Sequence, residues 1–318
     1  MTTYTIEPTR ETLHGAFSRD FAPVLIIEPG DTVLYRTLDA AWNVEPRRST
    51  NISERPRKFE SRRTDGSDNG HCLCGPIAIR GARPGMTLEV GIQEVSVGAW
   101  GWTSATGWPH PVNQRLGLAD GEEIMHLWAL DGDNMTGRNQ YGHEVKLRPF
   151  MGVMGMPPDE PGLHSTSPPR TTGGNLDCKE LTAGSTLYLP IAVDGGLFSV
   201  GDGYAVQGDG EVCVTAIECP MERVTLTFNI RDDLRITTPR ARTPEAFITL
   251  GLHEDLDEAG FHALEAMLEV MMEQYGLERR DALALASLVV DMRVTQIVNG
   301  VQGIHAVLPH NALIINPQ

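Results

Sequence analysis

The chain has 318 residues, 41% hydrophobic and 6% aromatic, with 26 Lys and Arg against 42 Asp and Glu, a formal net charge of −16. That length permits one large domain or two ordinary ones, and the acidic balance repels phosphate backbones, which excludes a general nucleic-acid binder. No run reaches the ~18 consecutive apolar residues of a membrane-spanning helix, and the opening MTTYTIEPTRETLHG has no basic start or apolar stretch of a secretory signal, so a cytoplasmic globular protein is expected.

Up to about residue 242, short alternating segments are punctuated by Pro, Gly and Asp. A turn-then-strand phrase appears as Pro29-Gly30-Asp31-Thr32-Val33, Pro84-Gly85-Met86-Thr87-Leu88 and Ala183-Gly184-Ser185-Thr186-Leu187. Its spacing is irregular, so it reads as a common way to begin a strand rather than a solenoid repeat. Residues 88, 90 and 92 share one face of a predicted strand, as do 224, 226 and 228. Residues 98–148 read as irregular, with His110, His126 and His143 toward solvent and Glu122-Glu123 a solvated pair. The cysteines at 72, 74, 178, 213 and 219 are odd in number and lack paired C-x-x-C spacing. They are expected to be reduced, buried thiols rather than disulfides or a structural zinc site.

The pattern changes after about residue 243. Phe261, Leu264, Leu268, Met271 and Tyr275 recur at three- and four-residue steps, which predicts an amphipathic helix from Asp255 to a cap at Gly276. A second helix follows over Arg280–Val290, then short strands near 291–298 and 304–308. The expected fold is mainly β, a sandwich or barrel body over 1–242, with a small α+β segment over 243–318 packed on it.

Unusual residues concentrate between Pro149 and Glu218. Glycines surround single acids there, letting the backbone turn tightly and bring a carboxylate to a small ligand. Carboxylates from separate loops plus a histidine are the raw material of a hydrolytic metal site, although Gly-Asp-Gly is also an ordinary turn. No Gly-x-Ser-x-Gly elbow occurs, and no histidine lies beside Cys178 in sequence to make it a thiolate.

In combination these segments resemble the acetamidase/formamidase family. The likeness runs through His14, Pro29-Gly30-Asp31-Thr32-Val33, Thr37-Leu38-Asp39, and His71-Cys72-Leu73-Cys74-Gly75-Pro76-Ile77. It continues in Pro149-Phe150-Met151-Gly152, Gly173-Gly174-Asn175-Leu176-Asp177-Cys178-Lys179-Glu180-Leu181, and Phe198-Ser199-Val200-Gly201-Asp202-Gly203. Gln207-Gly208-Asp209-Gly210-Glu211-Val212 and Gly303-Ile304-His305-Ala306-Val307 complete it.

The resemblance implies hydrolysis of a short linear amide, such as formamide or acetamide, to a carboxylate and ammonia by metal-activated water. It also implies self-association as a homodimer or higher homo-oligomer, and a divalent metal, zinc foremost with calcium as the alternative. Carried over by position, Asp39, His71, Asn175, Asp177, Asp202 and Glu211 gather at the pocket. His71, Asp177, Asp39 and Asp202 are the expected metal ligands; Glu211, Asp202 and Asn175 are the expected catalytic groups, with Glu211 the general base and acid. Gly173 and Gly174, through backbone N–H groups on an oxyanion, with Tyr204 and His164, are the expected substrate contacts.

The sequence departs from that family at Tyr204, where relatives usually carry His, and at Thr172, where some do. A phenol of pKa ~10 is a poor neutral metal ligand beside imidazole. Cys72 and Cys74 also change the surroundings of His71. Two alternatives therefore stand: an altered member that binds an amide without turnover or acts on another amide, and a scaffold whose acidic helix at 256–275 recruits a partner.

Overall fold

The computed structural model describes residues 1–51, 53–60 and 63–314. Among them a nine-stranded sheet runs, in spatial order, Thr3–Ile6, Thr32–Thr37, Met221–Arg231, Thr87–Val97, Thr186–Pro190, Arg240–Arg242, Ala246–His253, Gln302–Pro309 and Asp291–Gln296. A six-stranded sheet comprises Gly173–Asn175, Phe150–Gly155, Phe198–Tyr204, Leu73–Ile79 and Leu13–His14, with Leu25–Ile27 also paired to Leu73–Ile79. The alternation read from the sequence explains the larger sheet: Leu88, Val90, Ile92, Val224, Leu226 and Phe228 are all buried. They share one apolar core with Ile77, Ile79, Met151, Met154, Phe198 and Val200 of the smaller sheet. The body is a sandwich whose two sheets close on each other.

Residues 98–148 are more ordered than the sequence suggests. Trp100–Ala105, Ile124–Asp131, Thr136–Asn139 and Glu144–Lys146 form a four-stranded antiparallel sheet, with a short helix α1 (Pro111–Leu116) between its first two strands. The sequence missed it because polar and aromatic residues alternate there without a strong apolar face. His110 is not simply solvated: its Nδ1 caps α1 and its Nε2 lies 3.0 Å from the Val298 carbonyl.

Helix α2 spans Leu256–Tyr275 and α3 spans Arg279–Val289. Asp255 caps α2 by accepting from the Asp257 and Glu258 amides, and Gly276 ends it in the left-handed conformation. Leu264, Leu268, Met271 and Tyr275 of the expected face pack against the core as read, and Phe261 is the exception. Phe261 is 64% exposed, and the helix packs through Ala259, Ala263, Met267, Leu268, Val270 and Met271. The reason lies in the strand beneath: a Cβ at Gly251 would lie 1.9 Å from the Ala259 carbonyl oxygen. Small residues on both elements bring the backbones together, and a face containing Phe261 could not approach so closely.

The strand Arg240–Arg242 pairs antiparallel with Ala246–His253, so the 242/243 division falls within a hairpin of the larger sheet. Among the described residues no helix is long and apolar enough to cross a membrane.

Candidate active site

The site forms where the three sheets and the C-terminal strands meet. Phe198–Tyr204 delivers Asp202 and Tyr204, and Gly173–Asn175 delivers Asn175. Glu218 bridges to Trp102 of the four-stranded sheet and to Tyr204, while Gly210 bridges to Gln296 beyond the helices. Three of the acids there have unusual backbones. Asp177, Asp202 and Glu211 have φ of 49°, 58° and 46°, in the left-handed region that L-residues seldom occupy. Such conformations cost roughly 1–3 kcal/mol each and persist only where surrounding structure imposes them. The glycines beside these acids, read from sequence as turn formers, leave the acids themselves in the strained position.

Asp202 lies opposite Gly152, between the paired positions Val153↔Gly201 and Met151↔Gly203. A Cβ at Gly152 would lie 2.8 Å from the Tyr204 ring and 2.9 Å from Asp202 Oδ2. Glycine is what leaves room for both side chains.

Tyr204 is the hub. Its hydroxyl lies 3.0 Å from Asp177 Oδ1, 2.9 Å from Asp202 Oδ2 and 3.2 Å from Glu211 Oε1. Asn299 Nδ2 donates to Asp177 Oδ2 at 2.7 Å, and Glu218 Oε1 accepts from the Ala216 amide at 3.0 Å. All four acids are buried. Burial first, and then the facing acids, push the carboxyls of Asp177, Glu211 and Glu218 well above the usual range. The Tyr204 phenol is driven up by the same causes. A carboxyl so placed holds its proton more tightly than an exposed one and can donate it within the site.

These groups border a cavity of about 260 Å³ whose floor includes Asp202, Glu211, Glu218, Asn175 and Asn299, with Trp102 on its wall. Asp202 Oδ1, Glu211 Oε2, Glu218 Oε2 and Asn175 Oδ1 are buried oxygens that receive no amide or hydroxyl hydrogen bond, while Glu211 faces Asp177 and Glu218 faces Asp202 carboxyl to carboxyl. Buried polar atoms left open in this way mark where a ligand, proton or ion belongs.

The expected site residues divide between cavity and support. Asn175, Asp202, Tyr204, Glu211 and His71 line the cavity. Asp177 lies behind it, held by Tyr204 and Asn299. His71 is tied through Nδ1 to Thr166 Oγ1 at 2.9 Å, and that oxygen also accepts from the His71 amide. With one lone pair used, the buried threonine satisfies its own proton by donating to Nδ1, which leaves N–H on Nε2. Asp39 takes a different role from the one expected. Its Oδ1 accepts from the Asn43 amide and its Oδ2 from Asn43 Nδ2 and Trp102 Nε1, so it anchors the Trp102 indole. Burial still pushes its carboxyl up to about 6.

Gly173 and Gly174 do not line the cavity. The Gly173 N–H is committed to the Arg170 carbonyl at 3.0 Å, and Gly174 pairs with Met154 in the sheet. His164 is also away from the floor, with Nε2 near the Glu160 carbonyl and its backbone paired to Phe17. The Cys178 thiol is buried and pushed up to about 12, which suits packing rather than nucleophilic attack.

Open carboxylate oxygens suit a hard divalent cation, and an all-oxygen set favours calcium over zinc. The residues fit such an ion only in part. Among the described residues no three His, Cys, Asp or Glu side chains converge as a ligand set, and Asp39 and the Nδ1 of His71 are already committed. Sequence reading missed Glu218, Asn299 and Trp102. Glu218 stands in an unremarkable stretch before Cys219-Pro220, and Asn299 lies 122 positions from the acid it holds. No local pattern links them.

A profile of the Acetamidase/Formamidase family matches residues 2–166 and 162–313. An acetamidase of Mycolicibacterium smegmatis is 49% identical over 198 residues, 45% of this chain and 49% of that protein. A formamidase of Methylophilus methylotrophus is 25% identical over 249 residues, 63% of this chain and 59% of its own. The chain thus spans about half to three-fifths of these curated relatives. The crystal structure of an acetamidase from Bacillus halodurans superposes with a TM-score of 0.80 at 28% identity, covering 96% of this chain and 97% of that one.

Proposed function

The chain belongs to the acetamidase/formamidase family, and from that premise we propose that it hydrolyses the C–N bond of a linear primary amide to a carboxylate and ammonia. The observation that carries this reading is the pair of open oxygens, Asp202 Oδ1 and Glu211 Oε2, at one cavity beside the open amide oxygen of Asn175. Amide hydrolysis needs a base for water, a donor for the oxyanion and an acid for the leaving nitrogen.

Asn175 Oδ1 accepts an N–H of the substrate amide and orients it. Asp202 Oδ1 takes a proton from water as its oxygen attacks the carbonyl carbon. The oxyanion that forms accepts from His71 Nε2–H. Glu211, whose carboxyl is pushed up by burial and by the facing acids, delivers its proton to the nitrogen; the C–N bond then breaks and ammonia leaves. The Tyr204 hydroxyl touches both Asp202 Oδ2 and Glu211 Oε1, so it can return the proton from base to acid and reset the pair. A divalent cation held by Asp202, Glu211 and Glu218 would displace the proton from Glu211 and supply polarisation of the carbonyl in its place.

The test is ammonia release from formamide, acetamide and propionamide by the purified chain, with bound metal assayed before and after chelation. Release from at least one amide supports the reading. Tight amide binding without release would overturn turnover and favour an altered, binding-only member. We also propose a homo-oligomer, supported by the exposed Phe261, Leu283 and Leu288 on α2 and α3, and light scattering of the purified chain tests it.

A further inference from the structure

A second cavity, of about 120 Å³, adjoins the first, and Ala41 and Trp102 line both. The two differ sharply in charge. The first is floored by acids, whereas Arg47, Arg55 and Lys58 line the second, with Asn43, Ser104 and the single acid Glu123. These cations belong to a basic segment. Residues 47–63 contain Arg47, Arg48, Arg55, Arg57, Lys58, Arg62 and Arg63 against only Glu54 and Glu60, in a chain whose net charge is −16.

Arg47 is half-buried and Arg55 reaches solvent, and neither arginine is neutralised at close range. Arg47 Nη1 donates to the backbone carbonyls of Asn51 and Glu54, at 3.3 and 3.0 Å. No carboxylate pairs with Arg47 or Arg55 among the described residues. Partial burial, and the facing Arg55, pull the Arg47 guanidinium below its ordinary value, with Glu123 opposing. Two like charges at one small cavity are stabilised by an anion placed between them.

The wall between the cavities is fixed rather than loose. Trp102 Nε1 donates to Asp39 Oδ2 at 2.7 Å, and the same carboxylate holds the Asn43 side chain of the second cavity. The indole can therefore serve as a rail for an alkyl chain that has its amide on one side and its far end on the other.

The geometry points to a substrate that is the half-amide of a linear dicarboxylic acid: a primary amide whose far end is a carboxylate held by Arg47 and Arg55. This rests on the amidase reading and adds the substrate class to it. The basic subsite also offsets the repulsion an anionic substrate meets from the acidic floor. A neutral amide that lacks the far carboxylate gains nothing from it.

The test compares kcat/KM for glutaramate and for its neutral counterpart butyramide, in the wild type and in Arg47→Gln/Arg55→Gln. The expected result is a preference of about tenfold or more for glutaramate, lost in the double variant chiefly through KM while butyramide is unaffected. Equal rates on the two amides, or a variant that lowers both alike, overturns the subsite and leaves the amidase reading intact. No ammonia from any amide overturns the amidase reading itself. Calorimetric binding of valerate, whose single carboxylate need not meet the acidic floor, then decides the subsite: binding lost in the double variant supports it, and no binding to the wild type overturns it. A double variant that changes the oligomeric mass with no effect on the glutaramate preference assigns the basic segment to contact between copies, and also overturns the proposal.

Discussion

The Tyr204 hydroxyl carries one proton and touches three carboxyl groups, so it can satisfy only one of them as donor at any moment. That arrangement suits a relay. Tyr204→Phe keeps the ring against Phe150 and removes the relay. It is expected to lower kcat for ammonia release by about 10²-fold with the fold retained, as circular dichroism would report. A loss of less than twofold would remove the hydroxyl from the reaction. Gly152→Ala tests the space instead. Its methyl would press on the Tyr204 ring and Asp202 Oδ2, costing about 1–3 kcal/mol in a denaturant melt and most of the activity. How much of the site was legible follows the same scale. Asp202, Glu211, Asn175 and His71 reach one cavity from motifs quoted on the sequence, whereas Asp39 turned out to anchor Trp102. A motif gives residue type and order; it does not say which hydrogen bonds a carboxylate has already made.

At the scale of elements, periodicity found the long helix and the alternating strands, because burial of one face writes itself into spacing. It failed where size rather than polarity decides packing: Phe261 fits the helical period but Gly251 opposite Ala259 selects the small-residue face. The same logic explains the unexpected four-stranded sheet over Trp100–Lys146, whose strands lack a continuous apolar side. His14, in its short strand, gives a pH prediction. Its Nδ1 lies 2.7 Å from the Ala16 carbonyl and its Nε2 2.9 Å from Ser199 Oγ, and burial pushes the imidazole down to about 4. Between about 4 and 6.5 the unfolded chain takes the proton and the folded chain does not. Stability from this group is therefore full above 6.5 and lost as pH falls toward 4. Denaturant melts at pH 7 and pH 5 should show a loss smaller by roughly 2 kcal/mol in His14→Gln than in the wild type. Equal losses would contradict the assignment.

For the whole molecule, the C-terminal segment is part of the sheet and part of the site. Ala246–His253 pairs with Arg240–Arg242, Gly210 bridges to Gln296, and Asn299 holds Asp177. Ending the chain after residue 245 would remove three strands from the sheet, take Ile248, Leu250 and Val307 out of the shared core and release Asp177. The expected product is unfolded or aggregated protein by size-exclusion chromatography; a folded, monomeric, active fragment would show the segment to be an appendage. The division of labour was hidden from the sequence because the contacts that create it join residues far apart in the chain. Only their assembly brings the strained acids, the tyrosine and the C-terminal asparagine to one cavity.

The most direct measurement is steady-state ammonia release from acetamide by the wild type and by Glu211→Gln, at matched fold and metal content. The account predicts turnover in the wild type and a fall of about 10²–10⁴ in kcat for the variant, since glutamine cannot pass a proton to the leaving nitrogen. Undiminished kcat in Glu211→Gln would contradict it.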